Sequence, residues 1–467
     1  MIFGISIIAL IGLFLTSFYL VYRLPHHSTL VDDLKNGGSG HGGSGHGGSG
    51  VGGNGGGGVR NSLISQSLTQ SELEHLVHNR DHNNGGVGGN NGGGETQDDD
   101  QDDAEQDDTE QTQKQPNKEE ELYAHVKSIR KPLYQHMEFP ELTYDVNNCP
   151  DDPPDKYPIE WPLMNIIDNW NPNNTTFAHA PIDNRPHIHQ GLCRFDYRTE
   201  LHKAKRYRER EVPFIMRDDP QILQTVQRWN TPGYLTSLLG DDVTYKSEYS
   251  ESNHLMFYRM SKDGKDRTAT DWKPPMQNVD ITYPQWLEKA NQPLEDMAPD
   301  KPHWYFRVNA KAKGAKGFLY QEMPYFKPKE NFYMVDTSDV RGINCRFGMT
   351  GNIAENHFDG SRNFIILFGG ERRYILNHPK NCRKLGLYPR THPSGRHSAI
   401  DWTDPDTNMF PQFAEARGNE VVMQAGDALY LPTQWFHFII SLETNWQCNA
   451  RSGITNQYQS WIKRCGF

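Results

Sequence analysis

Two stretches far apart in the chain constrain its fold more than anything else. The first runs Phe347-Gly348-Met349-Thr350-Gly351-Asn352-Ile353-Ala354-Glu355-Asn356-His357-Phe358-Asp359 and continues into Asn363-Phe364-Ile365-Ile366-Leu367-Phe368. The second is Gly426-Asp427-Ala428-Leu429-Tyr430-Leu431-Pro432, leading to Trp435-Phe436-His437. Both read as strands punctuated by Gly and Pro. His357 and Asp359 are two residues apart, and on extended backbone residues i and i+2 share a face. One face therefore presents an imidazole and a carboxylate, and His437 offers a second imidazole.

Two histidines and one carboxylate suit a non-haem Fe(II) centre that leaves three metal positions open. The spacing alone is common. His136-Met137-Glu138 has it too, without a strand pattern or a distal histidine, and reads as plain surface sequence. The competing reading of His357 is a jelly-roll whose histidines are ordinary hydrogen-bonded residues.

At 467 residues the length allows about two or three domains. Residues 2–22 are almost wholly apolar, and a bilayer span needs about 20. No Lys or Arg precedes them and no small-x-small cleavage site follows. Residues 1–24 are thus expected to form a transmembrane helix, an uncleaved single-pass anchor, rather than a signal peptide. Its orientation is open. Arg23 and Lys35 on the C-terminal flank point the body to the cytoplasm. The overlapping sequons Asn173-Asn174-Thr175 and Asn174-Thr175-Thr176 favour the ER or Golgi lumen. Cys149, Cys193, Cys345, Cys382, Cys448 and Cys465 show no C-x-x-C spacing and indicate neither a zinc site nor a redox compartment.

Residues 25–118 read as a disordered linker. It begins with a Gly-Ser-Gly-His-Gly theme over 37–58 and turns acidic over 95–110. That acidic run accounts for nearly all of the net charge of −11, so the remainder is close to neutral. No basic stripe is visible, which argues against a nucleic-acid partner.

Folding is expected from Glu119. Residues 119–212 read as an irregular extension, dense in Pro, Asn, Asp and Trp between 149 and 186, and residues 213–467 as the main domain. Helices are expected over 119–129, 231–239 and 283–290, and strands over 212–216, 243–245, 254–258 and 303–308. Many short strands broken by Gly and Pro argue for a mainly β fold, a jelly-roll with flanking helices.

From about Pro213 to Arg451 the chain resembles the JmjC, cupin-like branch of Fe(II)/2-oxoglutarate oxygenases, and within it the asparaginyl-hydroxylase type. Besides the two stretches above, Leu387-Tyr388-Pro389, His392-Pro393, Arg396, Asp401 and Asn408-Met409-Phe410-Pro411 carry the resemblance. It implies a double-stranded β-helix in which His357, Asp359 and His437 bind Fe(II). It also implies 2-oxoglutarate as cosubstrate, chelating iron through its keto acid end. The family lysine for the far carboxylate is here Arg372, whose guanidinium can make two parallel hydrogen bonds but is bulkier, so the cosubstrate pose must differ. Arg373 should face the other side of the strand. Tyr305 stands where the family has a tyrosine for the same carboxylate, and Ala354 replaces a family threonine. Asn363 and Asn449 match polar residues that line the iron pocket.

The activity so implied is hydroxylation of a side chain in a protein or peptide substrate, with O2 consumed and succinate and CO2 released. The alternatives are a JmjC-type demethylase and a catalytically silent, membrane-tethered binding module. The resemblance also implies a monomer, because the helical C-terminal extension through which the resembled enzymes dimerise has no counterpart before Phe467.

Overall fold

The structure is a computed structural model that describes residues 117–140, 143–259, 272–313 and 315–467. The expected anchor at 1–24 and all but the last two residues of the expected linker lie outside the described residues. Among the described residues, no helix is long and apolar enough to cross a membrane.

The N-terminal part contains α1 (Lys118–Ile129), β1 (Trp161–Pro162), α2 (Leu163–Asn169), β2 (Arg194–Asp196), α3 (Tyr197–Glu209), β3 (Phe214–Arg217), α4 (Pro220–Trp229) and α5 (Tyr234–Leu239). Next come β4 (Thr244–Ser250), β5 (His254–Leu255), β6 (Gln277–Thr282), α6 (Tyr283–Ala290), β7 (His303–Ala310) and α7 (Phe318–Glu322). Eight strands complete the core: β8 (Val340–Gly348), β9 (Ile353–Phe358), β10 (Asn363–Gly369), β11 (Arg372–Asn377), β12 (Arg417–Met423), β13 (Ala428–Leu431), β14 (Phe436–Ser441) and β15 (Asn445–Ser452). The short α8 (Gln459–Lys463) follows.

The strands form two sheets, ordered β2-β3-β13-β10-β15-β8-β7-β4-β6 and β1-β12-β11-β14-β9-β5. The antiparallel quartet β13-β10-β15-β8 faces the antiparallel quartet β12-β11-β14-β9, and the chain crosses between them at every connection from β8 to β15 except β11 to β12. This is the expected double-stranded β-helix. Ile365, Leu367, Leu376, Val421, Met423 and Leu429 pack between the quartets. Trp229, Trp286, Phe306 and Phe347 cover the outer face of the larger sheet, and Trp402, Phe436 and Phe438 that of the smaller. Apolar packing on both faces explains why β10 reads as an unbroken apolar run rather than an alternation.

The extension is less irregular than its composition suggests. β2 pairs in parallel with β3, and β1 pairs with β12, so residues before 213 belong to the two sheets. A boundary at 213 cuts through packed structure. Helices α3 and α4 were not among the expected elements, yet their N-caps are in the sequence. Asp196 and Asp219 each accept from the backbone N–H two residues on, and Pro220 opens α4. Helix α6 matches its expected span, with a capping box between Thr282 and Gln285.

All six cysteines are paired, as Cys149–Cys193, Cys345–Cys448 and Cys382–Cys465. Cys345 and Cys448 stand directly opposite each other on β8 and β15.

Candidate active site

Strands β9 and β14 run antiparallel with His357 directly opposite His437. Asp359 follows the end of β9. One ligand atom from each of the three residues can be chosen so that all lie within 4.8 Å of one another. Among the described residues no other group of three or more His, Cys, Asp or Glu side chains meets that criterion, and His136 instead bridges to Ile188 through its backbone.

The imidazoles are fixed from behind. Nδ1 of His357 lies 2.7 Å from the Glu355 carbonyl oxygen, and Nδ1 of His437 lies 3.1 Å from that of Trp435. A carbonyl only accepts, so each Nδ1 carries the proton and each Nε2 lone pair is left for a metal. Burial, reinforced by His437 and His397, holds His357 well below the usual histidine range, and burial lowers His437. Both rings are therefore neutral, as metal ligation requires. His397, pulled down to about 4 mainly by burial, stacks on His357 at 4.9 Å between ring centroids.

Burial alone would raise the Asp359 carboxyl, but the charges around it, Arg451 foremost and Arg396 with it, outweigh burial and hold the group well below the usual carboxylate range. Arg451 Nη1 donates to Asp359 Oδ1 at 2.7 Å, and Asn363 Nδ2 to Oδ2 at 3.1 Å. Asn449 Nδ2 donates in turn to Asn363 Oδ1 at 2.8 Å. The two expected asparagines thus form a chain that orients the carboxylate.

A cavity opens from this triad across the inner face of the larger sheet. Tyr305, Arg307, Asn344, Arg346, Gln447 and Asn449 line one side, with Ala354, Ile439 and Leu255 opposite the polar wall. Arg372 departs from the sequence expectation. It does not line this cavity, and its guanidinium is fully buried behind it. Nη1 donates to the Tyr305 hydroxyl at 2.9 Å, Nη2 to the Arg346 carbonyl at 3.3 Å, and Nε to Asn445 Oδ1. Gly348 makes the room, since a Cβ there would stand 3.1 Å from Arg372 Nη2. Arg373 faces the other side, as expected, and is paired with the buried Glu420.

Arg451, His397, Arg307, Arg346 and Gln447 were not singled out in the sequence. Arg451 and Gln447 lie two residues either side of Asn449, and Arg307 two after Tyr305, so these three shared a strand face with an expected residue and carried a usable signal, whereas Arg346 and His397 did not.

Comparison with known proteins agrees with the fold. Residues 200–450 match the family described as a cupin-like domain. tRNA wybutosine-synthesizing protein 5 of Gallus gallus is 32% identical over 123 residues, 26% of this chain and 34% of that protein. Lysine-specific demethylase 8 of Xenopus tropicalis is 32% identical over 108 residues, 23% of this chain and 24% of that protein. Lysine-specific demethylase JMJ31 of Arabidopsis thaliana is 23% identical over 138 residues, 28% of this chain and 25% of that protein. The chain thus spans no more than 34% of the length of any of these three relatives.

Proposed function

Because the chain belongs to the family of cupin-like domains, we propose that it is an Fe(II)- and 2-oxoglutarate-dependent dioxygenase that hydroxylates a side chain of a protein or peptide. The observation that carries this reading is the convergence of His357, Asp359 and His437 with both Nε2 lone pairs and an ionised carboxylate turned to one point. That donor set fits Fe(II) and leaves a face open. Iron, the keto acid and O2 would supply the C–H oxidation, with succinate and CO2 released. The chain's own residues hold the ligand face, orient Asp359 through Asn363 and Arg451, and line the cavity opposite its polar wall with Ala354, Ile439 and Leu255.

Two of the three relatives above are named as lysine demethylases. The cavity of this chain weighs against a cationic methyl-lysine. Arg307, Arg346, Arg396 and Arg451 line it, while its carboxylates Glu248, Glu355 and Asp359 are each paired already.

The three disulfides support a location in an oxidising compartment, with the folded part on the lumenal side of the expected anchor. Full-length protein expressed through the secretory route should show no free thiol and should shift on a gel when N-glycans are removed. A cytoplasmic form with six reduced cysteines and full activity would overturn the placement.

The central experiment is anaerobic. Fe(II) and then 2-oxoglutarate are added to the full chain, and the visible charge-transfer band of a chelated keto acid is followed. A saturable band that His357→Ala removes is the expected result. Iron uptake without a band would leave a metal-binding module, and no iron uptake would return the histidines to ordinary hydrogen bonding.

A further inference from the structure

The inner face of the larger sheet is laddered. Asn344 on β8 lies opposite Asn449 on β15, Arg346 opposite Gln447, and Gly348 opposite Asn445. On the other side of β8, Arg346 lies opposite Arg307 and Gly348 opposite Tyr305. The asparagine rung is level with the metal ligands, because Asn449 bonds Asn363, which bonds Asp359. Each further rung is two residues along the strands, about 7 Å.

The arginine rung is one step from the metal site, and its charges are incompletely matched. Like charges directly across a strand pair are destabilising. Glu248 pairs with Arg307, but among the described residues no carboxylate lies within ion-pair reach of Arg346. The Arg346 guanidinium has only the Cys345 carbonyl at 3.2 Å and Asn309 Oδ1 at 3.5 Å, and Nε of Arg307 is buried without a partner. On this rung two guanidiniums and one carboxylate leave a single positive charge, which suits one carboxylate. Burial, with Arg307 alongside, pulls Arg346 down to about 10, as an unmatched cation should be.

Arg372 is a full rung further on, bonded to Asn445 and Tyr305. The hydroxyl of the fully buried Tyr374, on the same strand face as Arg372, donates to Gln447 on the arginine rung. A five-carbon dicarboxylate chelating a metal at the triad brings its far carboxylate level with the arginine rung, where the Tyr305 hydroxyl, which lines the cavity, is the part of the next rung that faces it and Arg372 stands behind that hydroxyl. We infer that Arg346, with Arg307 beside it and the Tyr305 hydroxyl donating from the next rung, holds the far carboxylate of the 2-oxoglutarate cosubstrate. Arg372 is then a positioning residue. Its Nη1 donates to the Tyr305 oxygen, which turns the phenolic proton toward the cavity. This assignment rests on the oxygenase reading above.

The test is anaerobic titration of Fe(II)-loaded full chain with 2-oxoglutarate, with iron affinity measured separately for each variant. Arg346→Leu should raise the Kd for 2-oxoglutarate at least tenfold while iron still binds, and Arg346→Lys should recover part of that loss. Arg372→Lys, which can still reach Tyr305, should shift the Kd less than Arg346→Leu does. A normal band with Arg346→Leu within twofold of the unsubstituted chain would overturn the assignment and leave the oxygenase reading standing. Iron uptake by the unsubstituted chain with neither a band nor calorimetric binding of 2-oxoglutarate would bring down that reading, and this assignment with it.

Discussion

Asp359 depends on its neighbours more than the two histidines do. Each histidine is fixed by one carbonyl, whereas the carboxylate is fixed through Arg451, Asn363 and, behind them, Asn449. Removing residues that orient a metal ligand typically costs 10–100-fold in affinity. Arg451→Leu should therefore weaken Fe(II) binding by about 10–100-fold with little change in the far-ultraviolet circular dichroism, and Asn363→Ala should do the same to a lesser degree. Calorimetric metal titration checks both, and unchanged affinity in both would show that Asp359 needs no orienting partner. His357→Ala and Asp359→Ala should abolish iron binding outright. The ligands were legible because a two-residue spacing fixes a common face. The unmatched Arg346 was not, since a charge in a polar strand looks the same whether it meets water, a carboxylate or an empty cavity wall.

At the level of strands, register is what decided Arg372. The sequence identifies the face on which it lies, and the structure agrees. It does not say that Tyr374, two residues on, ties down Gln447, or that Arg372 itself is spent on Tyr305 and Asn445. Tyr374→Phe should remove that bond and leave the Gln447 carbonyl oxygen without its donor. A buried acceptor left unpaired costs about 1–3 kcal/mol, so a urea midpoint lowered accordingly is expected. Pairing of β8 with β15 carries a second device invisible in the chain, the Cys345–Cys448 bridge, whose partners are separated by 103 residues. Sparse cysteines cannot be paired without knowing which strands are neighbours. Closing so long a loop restricts the unfolded chain, and removing such a disulfide costs about 2–5 kcal/mol. The Cys345→Ala/Cys448→Ala double variant should lose stability in that range in equilibrium urea unfolding while keeping the two-sheet core. A loss below 0.5 kcal/mol, roughly the scatter of surface substitutions, would mean the bridge does not form.

Across the whole molecule, buried histidines make stability depend on pH. His136 and His378 lie outside the metal ligand set, and burial first, then Arg194 for one and Lys380 for the other, pulls them down to about 4 and about 3. His397 behaves alike, at about 4. Unfolded, each would titrate near 6.5. Between those values the unfolded chain binds more protons than the folded one, so acid favours unfolding. The stability these groups contribute is complete above about 6.5 and is lost as pH falls through the folded values. His254 opposes the trend. Glu355 outweighs burial and raises it, so its contribution is present below the unfolded value and lost as pH rises through the folded one. Burial also lowers His179, His303, His357 and His437, so among the described residues seven depressed histidines stand against one raised one, and the acid-labile direction dominates. The metal-free full chain should therefore show a Tm that is flat or slightly falling above pH 7 and drops steadily from about pH 6.5 to pH 4, and His378→Asn should shallow the drop. A Tm that rises on acidification over that interval would mean that these imidazoles are solvated and charged, and that the packing around the second sheet is looser than the structure shows.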